Sequence, residues 1–270
     1  MDYFMLRKED LAANSRIPIV TLGDAGEVFY EMALDMIGHI KANNEAGRET
    51  VFICPVGPVG QYPIFVRLVN QHKISLKKVW FFNMDEYLTD EDSYININHR
   101  LSFRGFMDRT VYSQILPELV MPPEQRIFPD PANPAALDER LESLGGADVC
   151  YGGIGITGHL AFNEPESAAV EEFARRPTRI LDISPETRAV NSIGDLGGAV
   201  AIMPHRCITI GMKSILAAKQ LRLYCFRDWH RAVVRQAGCG EISASFPVTL
   251  AQNHPDARIT ITSNVAEAAY

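Results

Sequence analysis

Thr50-Val51-Phe52-Ile53-Cys54-Pro55-Val56 is an unbroken apolar run rich in β-branched residues, and Gly57-Pro58-Val59-Gly60 closes it. A strand wetted on one face alternates polar and apolar residues, whereas one covered on both faces need not, so the run predicts a central parallel strand. Upstream, residues 17–22 read as a short buried strand. Asp24 follows as a helix N-cap with Glu27 placed for a capping box. Val28, Phe29, Met32, Ala33, Met36, Ile37 and Ile40 then recur at helical spacing, opposite a polar face of Glu31, Asp35, His39 and Lys41.

Downstream the pattern repeats: a helix over 62–71, a strand over 78–83, an irregular stretch, a helix over 134–144 and a strand in 147–156. Apolar runs at 179–183, 207–210, 221–226 and 258–261 add strands, with a helix over 229–237. This alternation predicts a single α/β domain over 1–270, three-layered and doubly wound on one mostly parallel sheet (Rossmann-like). Residues 166–198, rich in Glu, Arg, Ala and Gly, are the least regular and form the candidate lid.

With 270 residues, 47% of them hydrophobic, the chain buries a sizeable core. A charged fraction of 22% and a net charge of -7 argue against nucleic acid as a partner, since a phosphate backbone asks for a basic face. They leave a small anionic ligand open. Cys54, Cys150, Cys207, Cys225 and Cys239 are far apart and mostly inside apolar runs, with no Cys-x-x-Cys pair or close Cys/His cluster. We read them as reduced and expect no metal site. The start MDYFMLRKED has no basic-then-apolar leader, and no apolar run approaches the ~20 residues of a membrane span. A cytoplasmic protein without a membrane partner is the expectation.

In doubly wound sheets ligands bind beyond the carboxyl ends of the strands, near the point where strand order reverses. Among the loops placed there, Asn83-Met84-Asp85-Glu86-Tyr87 sets adjacent carboxylates at the end of an apolar strand. A carboxyl partly desolvated there is pushed upward in pKa and shuttles protons near neutral pH. The alternative is a turn cap at Asp85 with Glu86 solvated. Gly152 through Pro165 is dense in glycine, which lets backbone N–H groups approach a ligand. Its spacing is not that of a dinucleotide loop, because Asn163-Glu164-Pro165 interrupts the helix such a loop needs, and no nicotinamide cofactor is expected. Within it, Glu164 is placed to hydrogen-bond His159, giving an imidazole that both donates and accepts a proton. The loop from Cys54 to Gly60 precedes a helix, where backbone N–H groups favour an anion. It has no Ser, Thr or Lys, however, and Pro55 and Pro58 lack donors. A tight packing turn is the competing reading.

Taken together, NMDEYL at 83–88 and GGIGITGHLAFNEP at 152–165 resemble the signatures of the glucosamine-6-phosphate deaminase (isomerase) family, close to FNMDEY and GGxGxDGHIAFNEP. The likeness extends to Ser93-Tyr94, His99-Arg100, Thr187-Arg188, Asn191-Ser192, Pro204 and Ile208-Thr209-Ile210-Gly211. The related 6-phosphogluconolactonases share the fold but carry different motifs, and Tyr87 with Phe162-Asn163-Glu164-Pro165 favours the deaminase branch.

The resemblance implies an aldose-ketose isomerase that moves a proton between C1 and C2 of an opened aminosugar phosphate and releases ammonia without a cofactor. Asp85 would be the proton shuttle. His159 would protonate the ring oxygen, with Glu164 orienting it. Substrate contacts would come from Val56, Gly57, Pro58, Val59, Gly60, Glu86, Gly153, Gly155, Thr157, Gly158, Arg188 and Arg231. The chain departs from the family pattern at Thr157, usually aspartate; at Pro55-Val56-Gly57-Pro58-Val59, usually Pro-Thr-Gly-Gly-Thr; and at Ile193, commonly basic. Arg231 stands near the place of the family's phosphate-binding lysine, with His230 beside it. These departures point to an aminosugar or sugar whose terminal group differs from an ordinary phosphate, or to weak handling of phosphate. Sugar lactone hydrolysis and sugar sensing without turnover are the alternative functions. A homo-oligomer is compatible with the family, whose members range from monomer to hexamer.

Overall fold

The computed structural model describes residues 2–270. Its strands are β1 (Ile19–Leu22), β2 (Thr50–Cys54), β3 (Val79–Asn83), β4 (Asp85–Leu88), β5 (Arg126–Ile127), β6 (Val149–Gly152), β7 (Arg179–Asp182), β8 (Arg206–Thr209), β9 (Gln220–Cys225) and β10 (Ala257–Thr262). Seven of them form one sheet in the order β1-β10-β9-β6-β2-β3-β5, every pair parallel.

The strand that opened the sequence reading lies at the centre, with all its residues buried. Val51 and Ile53 pack into the core on one face of the sheet, Phe52 and Cys54 into the core on the other. The alternation is present but both faces are apolar, which is why the sequence reads as continuous. Helices Ala135–Ser143 and His230–Cys239 cover the first face, and Ala25–Glu45 and Gln61–Gln71 the second, giving the expected three layers. Asp24 Oδ1 accepts from Glu27 N at 3.0 Å, and Glu27 Oε2 accepts from Gly23 N at 2.7 Å, one residue before the N-cap, a shifted form of the capping box. No helix among the described residues is long and apolar enough to cross a membrane.

From β2 the chain winds outward through β3 to β5, then returns to β6 on the opposite side of β2. Winding direction therefore reverses between β2 and β6, and the crevice beyond Cys54 and Gly152 is where a ligand of such a sheet binds.

The runs at 179–183 and 207–210 do not join this sheet. With β4 they make a separate three-stranded antiparallel sheet, β4-β8-β7. The switch happens at Met84, whose N–H donates to Cys54 O of β2 at 3.0 Å while its carbonyl accepts from Ile210 N at 2.7 Å. Asp85 and Glu86, expected in a loop, are thereby drawn out as a strand. The 166–198 segment is also more regular than its composition suggests. It holds a short helix Val170–Phe173, strand β7 and helix Pro185–Asp195. Within it the apolar run at 179–183 forms β7, an edge strand with no buried residue. The strand expected over 17–22 is likewise an edge, β1, and only partly covered.

Candidate active site

A cavity of about 350 Å³ opens at the switch point, walled by the loops leaving β2, β6 and β9, by β4, and by Asn191 and Asp195 of helix Pro185–Asp195. Of the sequence candidates, Val56, Gly57, Pro58, Val59, Gly60, Asp85, Gly153, Gly155 and His159 line it.

Adjacent strand residues face opposite ways, and this separates the two carboxylates of β4. Asp85 and Tyr87 face the cavity. Glu86 turns away, is fully buried, and accepts from Ser102 Oγ, from the N–H groups of Tyr87, Phe103 and Arg104, and from Arg104 Nε, at 2.9 to 3.2 Å. It is neither solvated nor within reach of a ligand; it holds the start of helix Phe103–Met107 against β4. Asp85 takes no hydrogen bond from any described residue, although it is only 7% exposed. Burial, with the neighbouring Glu86 charge, pushes its carboxyl well above the usual carboxylate range. A carboxyl raised in this way keeps its proton to higher pH than a solvated one.

His159 is held from behind. Thr157 Oγ1 lies 2.8 Å from His159 Nδ1 and donates to Glu164 Oε2 at 3.0 Å, while the imidazole and that carboxylate oxygen stand 3.5 Å apart. The hydroxyl can give its single proton only once, so with Glu164 accepting it, an Nδ1–H donates to Thr157 Oγ1, while Thr187 Oγ1 also lies 3.3 Å from Nδ1. Nε2 is left without a protein partner among the described residues. Thr157 and Glu164 thus touch His159 from behind and do not line the cavity. Burial pushes the Glu164 carboxyl up, but the bond to His159, its charge, and the hydroxyls of Thr187 and Thr157 outweigh this and hold it below the usual range. Glu164 also receives Ser184 N at 3.3 Å, at the N-terminal end of helix Pro185–Asp195, where a negative charge is favoured. The candidate lid is pinned to the site by that end.

Gly155 is required by packing: a Cβ there would meet the His159 ring at 1.9 Å. Gly158 does not reach the cavity; at φ +78° it turns the chain so that Gly155 N bonds His159 O at 2.9 Å. Two of the expected basic contacts lie elsewhere. Arg188 donates to the carbonyls of Met203 and Val200, at 3.0 and 3.3 Å, and fixes the following loop. Arg231 is turned to Asn264 and does not line the cavity. His230 does line it but has no proton to offer. Its Nδ1 accepts from Phe226 N and Arg227 N, its Nε2 donates to Ile154 O at 3.0 Å, and burial drives its pKa down to about 3.

Sequence reasoning passed over Arg227 and Asp195, which face the cavity. Arg227 follows the strand at 221–226 directly, the position the strand-end rule marks. Nothing in the sequence marked Asp195, which reaches the cavity only because its helix folds over β4 and the loop after β9.

Fold and cavity together define a doubly wound α/β enzyme with its site at the switch point. No protein-family model matches the chain. The glucosamine-6-phosphate deaminase of Hahella chejuensis is 31% identical over 212 residues, 77% of this chain and 76% of that one. That of Porphyromonas gingivalis is 30% identical over 221 residues, 79% of each chain. Among solved structures, a monomeric glucosamine-6-phosphate deaminase superposes with a TM-score of 0.80 at 22% identity, covering 92% of this chain and 98% of the other. A 6-phosphogluconolactonase from Trypanosoma cruzi shares the fold, with a TM-score of 0.66 at 15% identity over 92% and 95% of the two chains. The chain belongs to the glucosamine-6-phosphate deaminase family.

Proposed function

We propose that the protein is an aldose-ketose isomerase that deaminates an aminosugar. The observation that carries this is the pairing, in one cavity, of an Asp85 carboxyl bare of protein donors with a His159 whose outer nitrogen is free. In the ring-opening step the protonated His159 gives a proton to the ring oxygen as the C1–O bond breaks, and the C1 hydroxyl gives its own to water. Asp85, as carboxylate, takes the C2 proton while O1 gains a proton from water, giving an enolamine; it returns the proton to C1 as the amine gives one N–H proton back to water, leaving an imine at C2. Water adds to that carbon and ammonia leaves, so aminosugar plus water becomes ketose plus ammonia. No step draws on a redox partner. Four buried, unpaired thiols, at Cys54, Cys150, Cys207 and Cys225, suit a reducing compartment, and we place the enzyme in the cytoplasm.

The test is turnover of hexosamines in deuterium oxide. Ammonia release with solvent deuterium appearing in the sugar is expected. Lactone hydrolysis requires no C2 exchange, and a pure binder shows no turnover at all; either result sinks the reading.

Thr157→Val removes the bridging hydroxyl at nearly constant volume. The 3.5 Å gap between His159 and Glu164 then stays unbridged. Losing about one charge-assisted hydrogen bond, worth ~1.5 kcal/mol, should slow ring opening about tenfold. Single-turnover kinetics reads this directly, and an unchanged ring-opening rate takes the hydroxyl out of the relay.

A further inference from the structure

We propose that the end of the cavity formed by Phe29, Val56, Pro58, Val59, Phe226 and Trp229 receives an uncharged sugar terminus, so that the aminosugar taken by this site carries no phosphate there. The inference rests on the sugar-isomerase reading and narrows its substrate class.

Phe29 and Phe226 meet edge to face with centroids 4.8 Å apart, and Gly153 brings the β6 loop close enough that a Cβ on it would lie 3.2 Å from Gly57 O. These contacts join the wall into one apolar end. It presents no hydroxyl, and Pro58 contributes no N–H. The helix Gln61–Gln71 starts at this wall, and its N-terminus would ordinarily attract an anion. The Phe29 ring packs directly against Gly60 there: a Cβ on Gly60 would come within 2.3 Å of that ring. Gln61 Nε2 donates to Pro58 O and Tyr62 N to Val59 O, which takes up two of the donors at this end within the loop.

The charges point the same way. Among the described residues the one guanidinium lining the cavity is Arg227, and no lysine does. Arg227 lies beside helix Pro185–Asp195, where a Cβ on Gly194 would be 3.4 Å from its Nη1, and its charge acts on the Asp195 carboxylate at the same wall. Arg231 is held by Asn264, both nitrogens of His230 are committed to backbone, and Ile193 is 71% exposed outside the cavity. A phosphate dianion moved here from water would exchange its hydration for aromatic and aliphatic surface, one shared cation and an opposing carboxylate. A hydroxymethyl or methyl terminus loses little by the same move.

The test compares glucosamine, galactosamine and mannosamine with their 6-phosphates, by calorimetry on Asp85→Asn, where turnover is stopped, and by kcat/KM on the wild type. The free sugar should bind more tightly than its 6-phosphate, by about tenfold or more, and turn over faster. Val56→Thr with Val59→Thr, which adds hydroxyls, should shift the ratio toward the phosphate by about tenfold. Equal or tighter binding of the 6-phosphate, or no binding of any of these sugars, overturns the inference. Failure of the isomerase reading is distinct: it shows as sugar binding without C2 exchange in the wild type.

Discussion

Asp85→Asn is expected to leave the fold at least as stable as the wild type while lowering C2 proton exchange by about 10²- to 10⁴-fold, the range general acid–base groups contribute. The two effects have one cause. The carboxyl is buried without a protein donor beside the negative Glu86, which disfavours its charged form. An amide of the same shape carries no charge to desolvate and holds no exchangeable proton for C2. The sign of the pH dependence follows. A carboxyl raised in the folded state binds its proton more tightly there than in the unfolded chain, so it costs stability as pH climbs above the unfolded value of about 3.9 and through the folded one. The melting temperature of Asp85→Asn relative to wild type should therefore rise from pH 4 toward neutrality. A constant difference over that range would show that Asp85 titrates ordinarily, and unimpaired deuterium uptake would remove it from the chemistry.

Its neighbour should behave in the opposite way. Glu86→Gln is expected to destabilise the protein by about 3 to 5 kcal/mol, the cost of breaking a buried ion pair from one side. The carboxylate receives donors on both oxygens, from Ser102, Tyr87, Phe103 and Arg104. An amide offers one acceptor and aims N–H groups at donors already there. At about 2 to 4 °C per kcal/mol for a chain of this size, melting should fall by roughly 6 to 20 °C. Whatever folds should retain C2 exchange, since Asp85 is untouched. A thermal scan with a deuterium-uptake assay on the same sample checks both, and an unchanged melting temperature would show that the donors are satisfied without the charge.

The contrast marks the limit of the sequence. Asp85-Glu86 reads as a pair of carboxylates at the end of a strand, and chemistry alone gives no reason to prefer either. The choice is made by β4, which pairs with β8 and so fixes which side chain faces the cavity. That pairing spans more than a hundred residues, and no local pattern encodes it. Arg188 and Arg231 illustrate the same gap: their positions in the sequence suit an anion site, but nearby carbonyls and Asn264 claim them first.

The sequence by itself determined the central strand at Thr50 to Cys54, the alternation of helix and strand, the three-layer parallel sheet, and the family likeness that singles out Asp85, His159 and Glu164 as candidates. All of these rest on local periodicity or contiguous motifs, which physical chemistry makes legible residue by residue. Only the tertiary structure decided that β4, β7 and β8 form a second sheet, that Glu86 is a strut, that Thr157 bridges His159 to Glu164, and that Arg227 and Asp195 face the cavity. Each depends on a contact between segments distant in sequence or on the direction a side chain takes when several partners compete for it. Such a choice is fixed by the packing of the whole chain.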